Sequence, residues 1–311
     1  MKELITPHLR ELIERGSIAI RKQFKIPREK ITRKPFPNLD PLSESEYSPL
    51  KGLVHKFKNR VLIKITLRCA AHCQICTRRR EIGSPLGDLT SEEIAACAQY
   101  IKDHPEIEEV IISGGDPFYV PKDTLEFLNL IDGINTIKVI RIGTRFPIHS
   151  PRSFETKLVG ELLGKIKKMA KDRPFFILIH CNHPDELTKP VFNAIDMLKE
   201  TGSTLLSQSI FLRGINDSVD VLQELFTTLY HHNVQPYYMY RCDYVHGLEQ
   251  FVCPLRAERK MMTELRKRLS GIAYPNYVID VVGRGKIPVP LEFWKSSIRA
   301  CTDFDGKIIK I

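Results

Sequence analysis

Residues 61–76 read VLIKITLRCAAHCQIC, in which an apolar strand-like segment runs directly into three cysteines. Cys69, Cys73 and Cys76 have the spacing C-x3-C-x2-C, which can present three thiolates to an iron–sulfur cluster. Such clusters ordinarily take a thiolate at each iron, so three cysteines leave one position for an exchangeable ligand, as catalytic zinc sites do. A loop directly after a strand is also where barrel enzymes place their catalytic groups.

Structural cysteines, or half of a zinc site, are the alternatives for this loop. A four-thiolate zinc site usually shows two C-x2-C pairs. The remaining cysteines are instead scattered singly, at Cys97, Cys181, Cys242, Cys253 and Cys301. The loop and its place after a strand resemble the radical S-adenosylmethionine (SAM) superfamily. That resemblance implies a 4Fe-4S cluster whose unique iron is chelated by SAM, and reductive cleavage of SAM to a 5'-deoxyadenosyl radical.

Length and composition set the broad class. The 311 residues are enough for one large α/β domain with a terminal extension. No stretch is apolar enough to span a membrane, the N-terminus has no signal-peptide block, and eight cysteines suit a reducing compartment, so we expect a cytoplasmic protein. The formal charge of +10 is compatible with nucleic acid, an anionic membrane or small anions, and does not choose among them.

Apolar strand-like runs alternate with amphipathic helical ones, which predicts repeated βα units with parallel strands. We expect a partial barrel of about six units, because a closed eightfold barrel needs ~250 residues and eight strands. The expected organisation is a helical, proline-rich extension over residues 1–50, the barrel over 51–290 and a tail over 291–311. Helices are predicted to start at Thr90-Ser91 and after Asp217-Ser218. The candidate strands are residues 61–67, 108–113, 137–143, 175–181, 203–210, 234–240 and 277–282.

The second strand is followed by Ser113-Gly114-Gly115-Asp116-Pro117. Paired glycines let the backbone approach a ligand closely, and the carboxylate could receive an ammonium group. Alone, this segment is only a turn. Together with the cysteine loop one unit earlier, it resembles the glycine-rich motif that holds the amino group of SAM.

Residues 281–288, VVGRGKIP, place Lys286 after two spaced glycines just beyond an apolar strand. Pyridoxal phosphate requires a lysine amine for its covalent attachment, together with donors for its phosphate. Taken singly, Lys286 is a solvated loop residue, as most lysines are.

Several ordered blocks, from about residue 49 to 290, resemble the lysine 2,3-aminomutase family, which combines a radical SAM centre with pyridoxal phosphate. The resemblance implies a radical 2,3-amino shift that converts L-lysine to β-lysine. The matching blocks, besides the three motifs above, are residues 52–55 (GLVH), 76–80 (CTRRR), 141–145 (RIGTR), 182–184 (NHP), 212–217 (LRGIND) and 236–240 (PYYMY).

The resemblance also implies a role for each matching site residue. Cys69, Cys73 and Cys76 would ligate the cluster, and Lys286 would carry pyridoxal phosphate. The other implied contacts are Ser113, Gly114, Gly115, Asp116 and His180 with SAM, Lys56, Arg60 and Gln208 near the cofactor phosphate, Arg78 with the substrate carboxylate, and Asp243 and Asp280 with the distant substrate ammonium.

The charges of free lysine support these substrate contacts independently. An arginine fork fits a carboxylate at two points, and paired acids such as Asp243 and Asp280 offset the cost of burying an ammonium. A glutamate-specific relative should not present two acids there. The alternative for Asp243 is a simple cap after a strand.

Departures from the family pattern include Lys56 in place of the usual arginine, Ser207 in place of asparagine, and Arg284 within the glycine run. The tail lacks the cysteines that hold structural zinc in some members, so zinc is not expected. A shorter, zinc-free chain also resembles relatives that act on lysine for modification of elongation factor P.

Other functions remain open at this stage. They are an aminomutase for another amino acid and an RNA-modifying or RNA-binding protein, although no RNA-binding module is recognisable. The expected partners are lysine, an electron donor such as flavodoxin or ferredoxin, and further copies in a homo-oligomer, with no membrane and no nucleic acid.

Overall fold

A computed structural model describes residues 2–27, 34–37, 39–84, 87–281, 285–291, 300–302 and 307–310. Within these residues the helices are α1 (Pro7–Glu14), α2 (Ile18–Phe24), α3 (Ser91–Asp103), α4 (Pro121–Ile131), α5 (Phe146–His149), α6 (Lys157–Met169), α7 (Lys189–Lys199), α8 (Val219–His231) and α9 (Leu255–Arg268). The strands are β1 (Leu53–Phe57), β2 (Arg60–Thr66), β3 (Glu109–Gly114), β4 (Val139–Thr144), β5 (Phe175–His180), β6 (Thr204–Ile210), β7 (Gln235–Tyr240), β8 (Asn276–Val281), β9 (Gly285–Pro288), β10 (Ala300–Thr302) and β11 (Ile308–Lys310).

Strands β1 to β9 form one sheet in which each strand pairs with its neighbours in sequence. Strands β2 to β8 run parallel, whereas β1 and β9 pair antiparallel at the two ends. Helices connect the parallel strands, so the described residues contain six βα units followed by a seventh strand. This arrangement confirms the expected α/β partial barrel of radical SAM type.

Apolar and polar residues alternate along the strands, so that one face of the sheet packs in the core and the other faces the inside of the barrel. In β2, Val61, Ile63 and Ile65 are fully buried, whereas Lys64 between them is only partly buried. Successive side chains of a strand point to opposite faces, so the apolar residues pack beneath the helices and Lys64 faces the inside of the barrel. The largest apolar cluster joins the inner faces of the helices to these strand residues.

The capping signal at Thr90 is confirmed as a complete capping box. The Thr90 side chain accepts from the Glu93 backbone N–H, and the Glu93 carboxylate accepts from the Thr90 N–H. Two backbone N–H groups at the start of α3, which have no partner within the helix, are thereby hydrogen-bonded. The predicted helix after Ser218 is also confirmed, as α8.

All seven predicted strands are confirmed to within two residues wherever the structure describes them, but the two antiparallel end strands were not predicted. β1 is short and mixes apolar and basic residues, and β9 begins with Gly285 and ends with Pro288, so its sequence is typical of a turn. The departure noted at Arg284, and most of the predicted tail, lie outside the described residues.

The N-terminal helices pack directly on the cysteine loop. Leu9 and Leu12 of α1 and Ile20 and Phe24 of α2 form one buried cluster with Ala71. Two backbone hydrogen bonds join the same segments, at 2.9 Å from the His72 N–H to the Leu4 carbonyl and at 2.7 Å from the Gln74 N–H to the Gln23 carbonyl. The helical start of the chain therefore forms one wall of the loop. No helix among the described residues is long and apolar enough to cross a membrane.

Candidate active site

A cavity of about 950 Å³ lies inside the barrel, and its lining includes residues at the carboxyl ends of the parallel strands. This is the edge at which parallel α/β enzymes place their chemistry. Every site residue predicted from the sequence lines it: Lys56, Arg60, Cys69, Cys73, Cys76, Arg78, Ser113, Gly114, Gly115, Asp116, His180, Gln208, Asp243, Asp280 and Lys286.

The three cysteines follow β2 on one loop with their thiols turned inward. Burial raises the pKa of all three thiols, to about 11 for Cys76 and well above the usual value for Cys69. Asp116, and then the negative charges of Cys76 and Cys73, would raise the pKa of Cys69 further. A metal centre at this loop must therefore displace protons as it binds.

The glycine pair at the end of β3, Gly114 and Gly115, is required by packing against this loop. A Cβ at Gly115 would lie 2.0 Å from the Arg68 carbonyl oxygen, and one at Gly114, where φ is +115°, would lie 2.4 Å from the Thr66 oxygen. The backbones are joined by a hydrogen bond of 2.6 Å from the Gly115 N–H to that Thr66 oxygen. The glycines thus let the end of β3 approach the start of the cysteine loop, a reason that does not depend on any ligand.

Asp116 is buried and bonded within the protein. Its carboxylate accepts from the Phe118 N–H at 3.1 Å, from the Thr144 hydroxyl at 2.8 Å and from the Arg145 N–H at 2.7 Å. Burial raises the pKa of Asp116 to about 6, and these hydrogen bonds oppose the rise. The carboxylate ties the ends of β3 and β4 together, and its contact with the SAM ammonium stays a prediction.

Arg78 is held by a carboxylate from the N-terminal extension. Its Nε donates to Glu44 Oε2 at 3.0 Å, its Nη2 donates to Oε1 at 2.6 Å, and its Nη1 lies 3.4 Å from the Ser113 hydroxyl. Burial works against the charge on Glu44, but Arg78 and Lys64 outweigh it and hold the pKa of Glu44 below its usual value. The Arg78 guanidinium is thus positioned at the end of β3, where it already binds the Glu44 carboxylate.

Two aspartates and Lys286 meet on the opposite side of the strand array. Asp280 in β8 is paired with Lys286 in β9, and their side chains form an ion pair of 3.2 Å. Burial first, and then repulsion by Asp280, raise the pKa of Asp243 to about 7, while Lys286 acts in the other direction. The Lys286 ammonium also lies 5.8 Å from the centre of the Tyr240 ring. The group has the composition of a site for a cation.

The residues predicted near a phosphate come from β1, β2 and β6. Arg60 lies 3.7 Å from Glu109, and the Lys56 amine donates to the Leu42 carbonyl at 3.1 Å. Arg141, which the sequence analysis left without a role, lines the same cavity and is ion-paired with Glu109. Gln208 in β6 is likewise on the cavity wall.

His180 ends β5 on the cavity wall. Burial, and then the charge of Arg145, lower the pKa of His180 to about 3, so its imidazole is neutral. Its Nε2 lies 3.2 Å from the Asn182 side-chain oxygen. A neutral imidazole at this position can exchange a hydrogen bond with a bound ligand but adds no charge.

Comparison with known proteins decides the family. The sequence profile of the radical SAM superfamily matches residues 63–225, more than half of the chain. The L-lysine 2,3-aminomutase of Fusobacterium nucleatum is 37% identical over 293 residues, which cover 93% of this chain and 67% of that protein. This chain belongs to the lysine 2,3-aminomutase family. Aminomutases are isomerases, so the chain is an enzyme of that class.

Other members of the family show similar identity. The L-lysine 2,3-aminomutase of Clostridium subterminale is 36% identical over 294 residues, covering 93% of this chain and 69% of that protein. The glutamate 2,3-aminomutase of Clostridioides difficile is 30% identical over 282 residues, covering 88% of this chain and 64% of that protein. Overall similarity alone therefore does not choose between the two substrates.

The cavity residues fit the groups that this family uses. Among the described residues, no three His, Cys, Asp or Glu side chains are grouped so that they could hold a single metal ion. A 4Fe-4S cluster needs no such grouping, because each thiolate binds a different iron. A lysine amine beside an acid, together with several cations in the same cavity, is likewise the donor set for a phosphorylated aldehyde cofactor.

Besides Arg141, sequence reasoning missed several residues that line the cavity and contact predicted site residues. Glu44 reaches Arg78 from the extension, Arg145 contacts Cys73, and Tyr240 lies beside Lys286. Arg145 and Tyr240 fall within blocks that resemble the family, which was a usable signal. Glu44 lies in the predicted helical, proline-rich extension over residues 1–50, and the sequence analysis gave that extension no role in the site.

Proposed function

We propose that this protein is an L-lysine 2,3-aminomutase that converts L-lysine to β-lysine with a 4Fe-4S cluster, SAM and pyridoxal phosphate. The observation that supports the proposal is that the cavity has a cation on one side and two acids on the other. Arg78 lies beside the ends of β2 and β3, whereas Asp243 and Asp280 belong to the β7 and β8 side. A cation and a pair of acids at opposite sides of the strand array match the two charged ends of free lysine.

The pair of acids argues for lysine over glutamate. Asp243 has a raised pKa because it is buried near Asp280, so its ionised form lacks a sufficient counterion in the free protein. A second ammonium in the cavity would supply that counterion, whereas a second carboxylate would add to the repulsion. The two aspartates therefore select for a cationic side chain.

Each cofactor has candidate residues. Cys69, Cys73 and Cys76 would hold the cluster, Lys286 would hold pyridoxal phosphate, and the cations near Arg60 would face its phosphate. The predicted SAM contacts, from Ser113 to Asp116 and at His180, line the wall between the cysteine loop and β5. When bound, the cluster and SAM supply a carbon-centred radical, and pyridoxal phosphate supplies a conjugated ring that stabilises an unpaired electron.

The protein's own contribution is placement. Arg78 and the two aspartates fix the substrate at both ends, which holds its second and third carbons in one position relative to the cysteine loop. Asp280 keeps the Lys286 amine directed into the cavity at 3.2 Å. An electron donor such as flavodoxin or ferredoxin and a homo-oligomeric state stay predictions.

The test is anaerobic turnover of protein reconstituted with iron and sulfide. L-lysine, SAM, pyridoxal phosphate and dithionite are added, and β-amino acid products are separated by chromatography. We expect β-lysine from lysine and no β-glutamate from an equal concentration of L-glutamate. Cleavage of SAM without β-lysine would overturn lysine as the substrate, and β-glutamate in its place would assign the chain to the other branch of the family.

A further inference from the structure

Arg145 is buried behind the cysteine loop and contacts one of its sulfurs. It follows β4, its side chain is 5% exposed, and its Nη1 lies 3.2 Å from Cys73 Sγ. Among the candidate cluster ligands, Cys73 is the one that N-terminal helices α1 and α2 also cover. This sulfur therefore has apolar helix side chains on one side and a permanent cation beside it.

The guanidinium is held in place from its other side. Its Nη2 donates to Gln23 Oε1 at 2.6 Å and to Glu186 Oε2 at 3.0 Å. Glu186 is fully buried, and its other oxygen accepts from the Gln23 amide at 2.9 Å and from the Asn182 N–H at 3.1 Å. The position of Arg145 is thus fixed by Gln23 and Glu186, neither of which is among the described residues that line the cavity.

We propose that Arg145 is a positioning residue that sets the reduction potential of the cluster through its hydrogen bond and charge at Cys73, and that Glu186 limits this effect. Reduction adds one electron to the cluster. A nearby cation and a donor to a ligating sulfur stabilise the more negative, reduced form, and therefore raise the potential. The buried carboxylate of Glu186 offsets part of that cationic field. The inference rests on the proposed cluster but not on the choice of substrate.

Charges around Cys73 support this assignment. The Arg145 guanidinium lies 3.2 Å from Cys73 Sγ, and the Glu186 carboxylate lies 3.0 Å from the same guanidinium. A cation stabilises negative charge added near this sulfur, whereas an anion destabilises it. Arg145 and Glu186 therefore have opposite predicted effects.

A second buried pair in the chain provides a matched control. Arg241 and Glu258 form an ion pair of 2.8 Å with side chains that are 5% and 0% exposed, the same burial as Arg145 and Glu186. The Arg241 guanidinium donates to Glu258, to the Tyr244 hydroxyl and to the Cys253 carbonyl, and no contact with the cysteine loop is found among its partners in the described residues. A variant of the Arg241–Glu258 pair therefore shows what the loss of any buried charge does, and variants of Arg145 and Glu186 show what is specific to the charges beside Cys73.

The experiment is an anaerobic redox titration of the reconstituted full-length protein, without SAM, substrate or pyridoxal phosphate, followed by the electron paramagnetic resonance signal of the reduced cluster. Arg145→Met should shift the midpoint to a more negative potential than in the wild type, and Glu186→Gln should shift it to a less negative one. Arg145→Lys, which keeps the charge but not the fork, should fall between the wild type and Arg145→Met. Glu258→Gln should leave the midpoint unchanged.

Iron and sulfide content is measured for each variant, so that only proteins with a complete cluster are compared. An unchanged midpoint in Arg145→Met, or a shift of Glu186→Gln in the same direction, would overturn the inference. If Arg145→Met does not retain a cluster, Arg145→Lys and Glu186→Gln decide the matter, and unchanged midpoints in both would overturn it. A wild-type protein that assembles no cluster would instead contradict the proposed function itself.

Discussion

Asp280 and Lys286 stand opposite each other in the β8–β9 pair, and their side chains meet at 3.2 Å inside the cavity. The lysine that would hold pyridoxal phosphate is thus carried by a strand and directed by an acid that is itself a candidate substrate contact. Because β9 is hydrogen-bonded along β8, the amine has a defined place on the cavity wall.

Replacement of Lys286 by alanine should abolish covalent attachment of pyridoxal phosphate. The wild-type protein, incubated with the cofactor, should gain a visible absorbance band and, after borohydride reduction, a mass increase on the peptide that contains Lys286. Lys286→Ala should show neither. Lys157→Ala is the control, because the Lys157 side chain is 90% exposed on α6 and should not affect the band. A labelled peptide elsewhere in the wild type would refute the assignment.

Affinity for lysine should rise with pH across neutrality. The pKa of Asp243 is about 7 in the free protein, raised by burial and by Asp280. A bound ammonium favours the ionised form, so below pH 7 binding must release a proton. KM for lysine should therefore fall between pH 6 and 8, by at most about tenfold per unit.

Asp243→Asn should remove that pH dependence and raise KM at pH 8. It should also increase the free energy of unfolding at pH 8. A carboxyl group whose pKa is higher in the folded state than in the unfolded state favours folding least above both values, and asparagine removes that cost. A KM that keeps its pH dependence in the variant would exclude Asp243 as the titrating group.

Arg78→Lys should weaken substrate binding while the cluster is retained. Arg78 binds Glu44 at two points and directs Nη1 toward Ser113, and a lysine cannot keep the Glu44 contact and also donate to a substrate carboxylate. Loss of one charge-assisted hydrogen bond costs about 1.5–3 kcal/mol, so KM for lysine should rise about tenfold to a hundredfold. Arg80→Lys is the control within the same run, because Arg80 pairs with Asp40 and Glu81 outside the cavity lining. Equal KM values for the two variants would argue against Arg78 as the carboxylate ligand.

Gly115→Ala should destabilise the protein and impair cluster assembly. The new Cβ would meet the Arg68 carbonyl at 2.0 Å, so either the backbone after β3 or the cysteine loop must move. Overpacking of this kind costs about 1–3 kcal/mol. Gly164→Ala in α6, where a Cβ would meet nothing within 4 Å, should be neutral or stabilising. Thermal unfolding and iron content measure both effects, and equal values for the two variants would contradict the packing argument.

Much of this architecture could be predicted because its signals are local. A strand followed by closely spaced cysteines, a glycine pair after the next strand and a capping box at Thr90 each depend on neighbouring residues. The partners of Arg78 and Cys73 could not be predicted in this way. Glu44 and Arg145 reach them across 34 and 72 residues of chain, and such contacts depend on how whole elements pack.

β9 shows a second limit of sequence reasoning. Gly285 and Pro288 are typical of turns, and only pairing with β8 makes the four residues a strand. The glycine pair Gly114-Gly115 is the opposite case, because the sequence analysis singled it out. Its resemblance to a SAM-binding motif stays a prediction, whereas the structure explains the two glycines by backbone packing against the cysteine loop.

The order of strands in the sheet has a consequence for biosynthesis. Since each of β1 to β9 pairs with its neighbour in sequence, the sheet can grow one strand at a time as the polypeptide leaves the ribosome. The cysteine loop after β2 is then laid down near the beginning, and Lys286 joins with the last strand of the sheet. A nascent chain would therefore complete the loop that carries the three cysteines well before it adds the strand that carries Lys286.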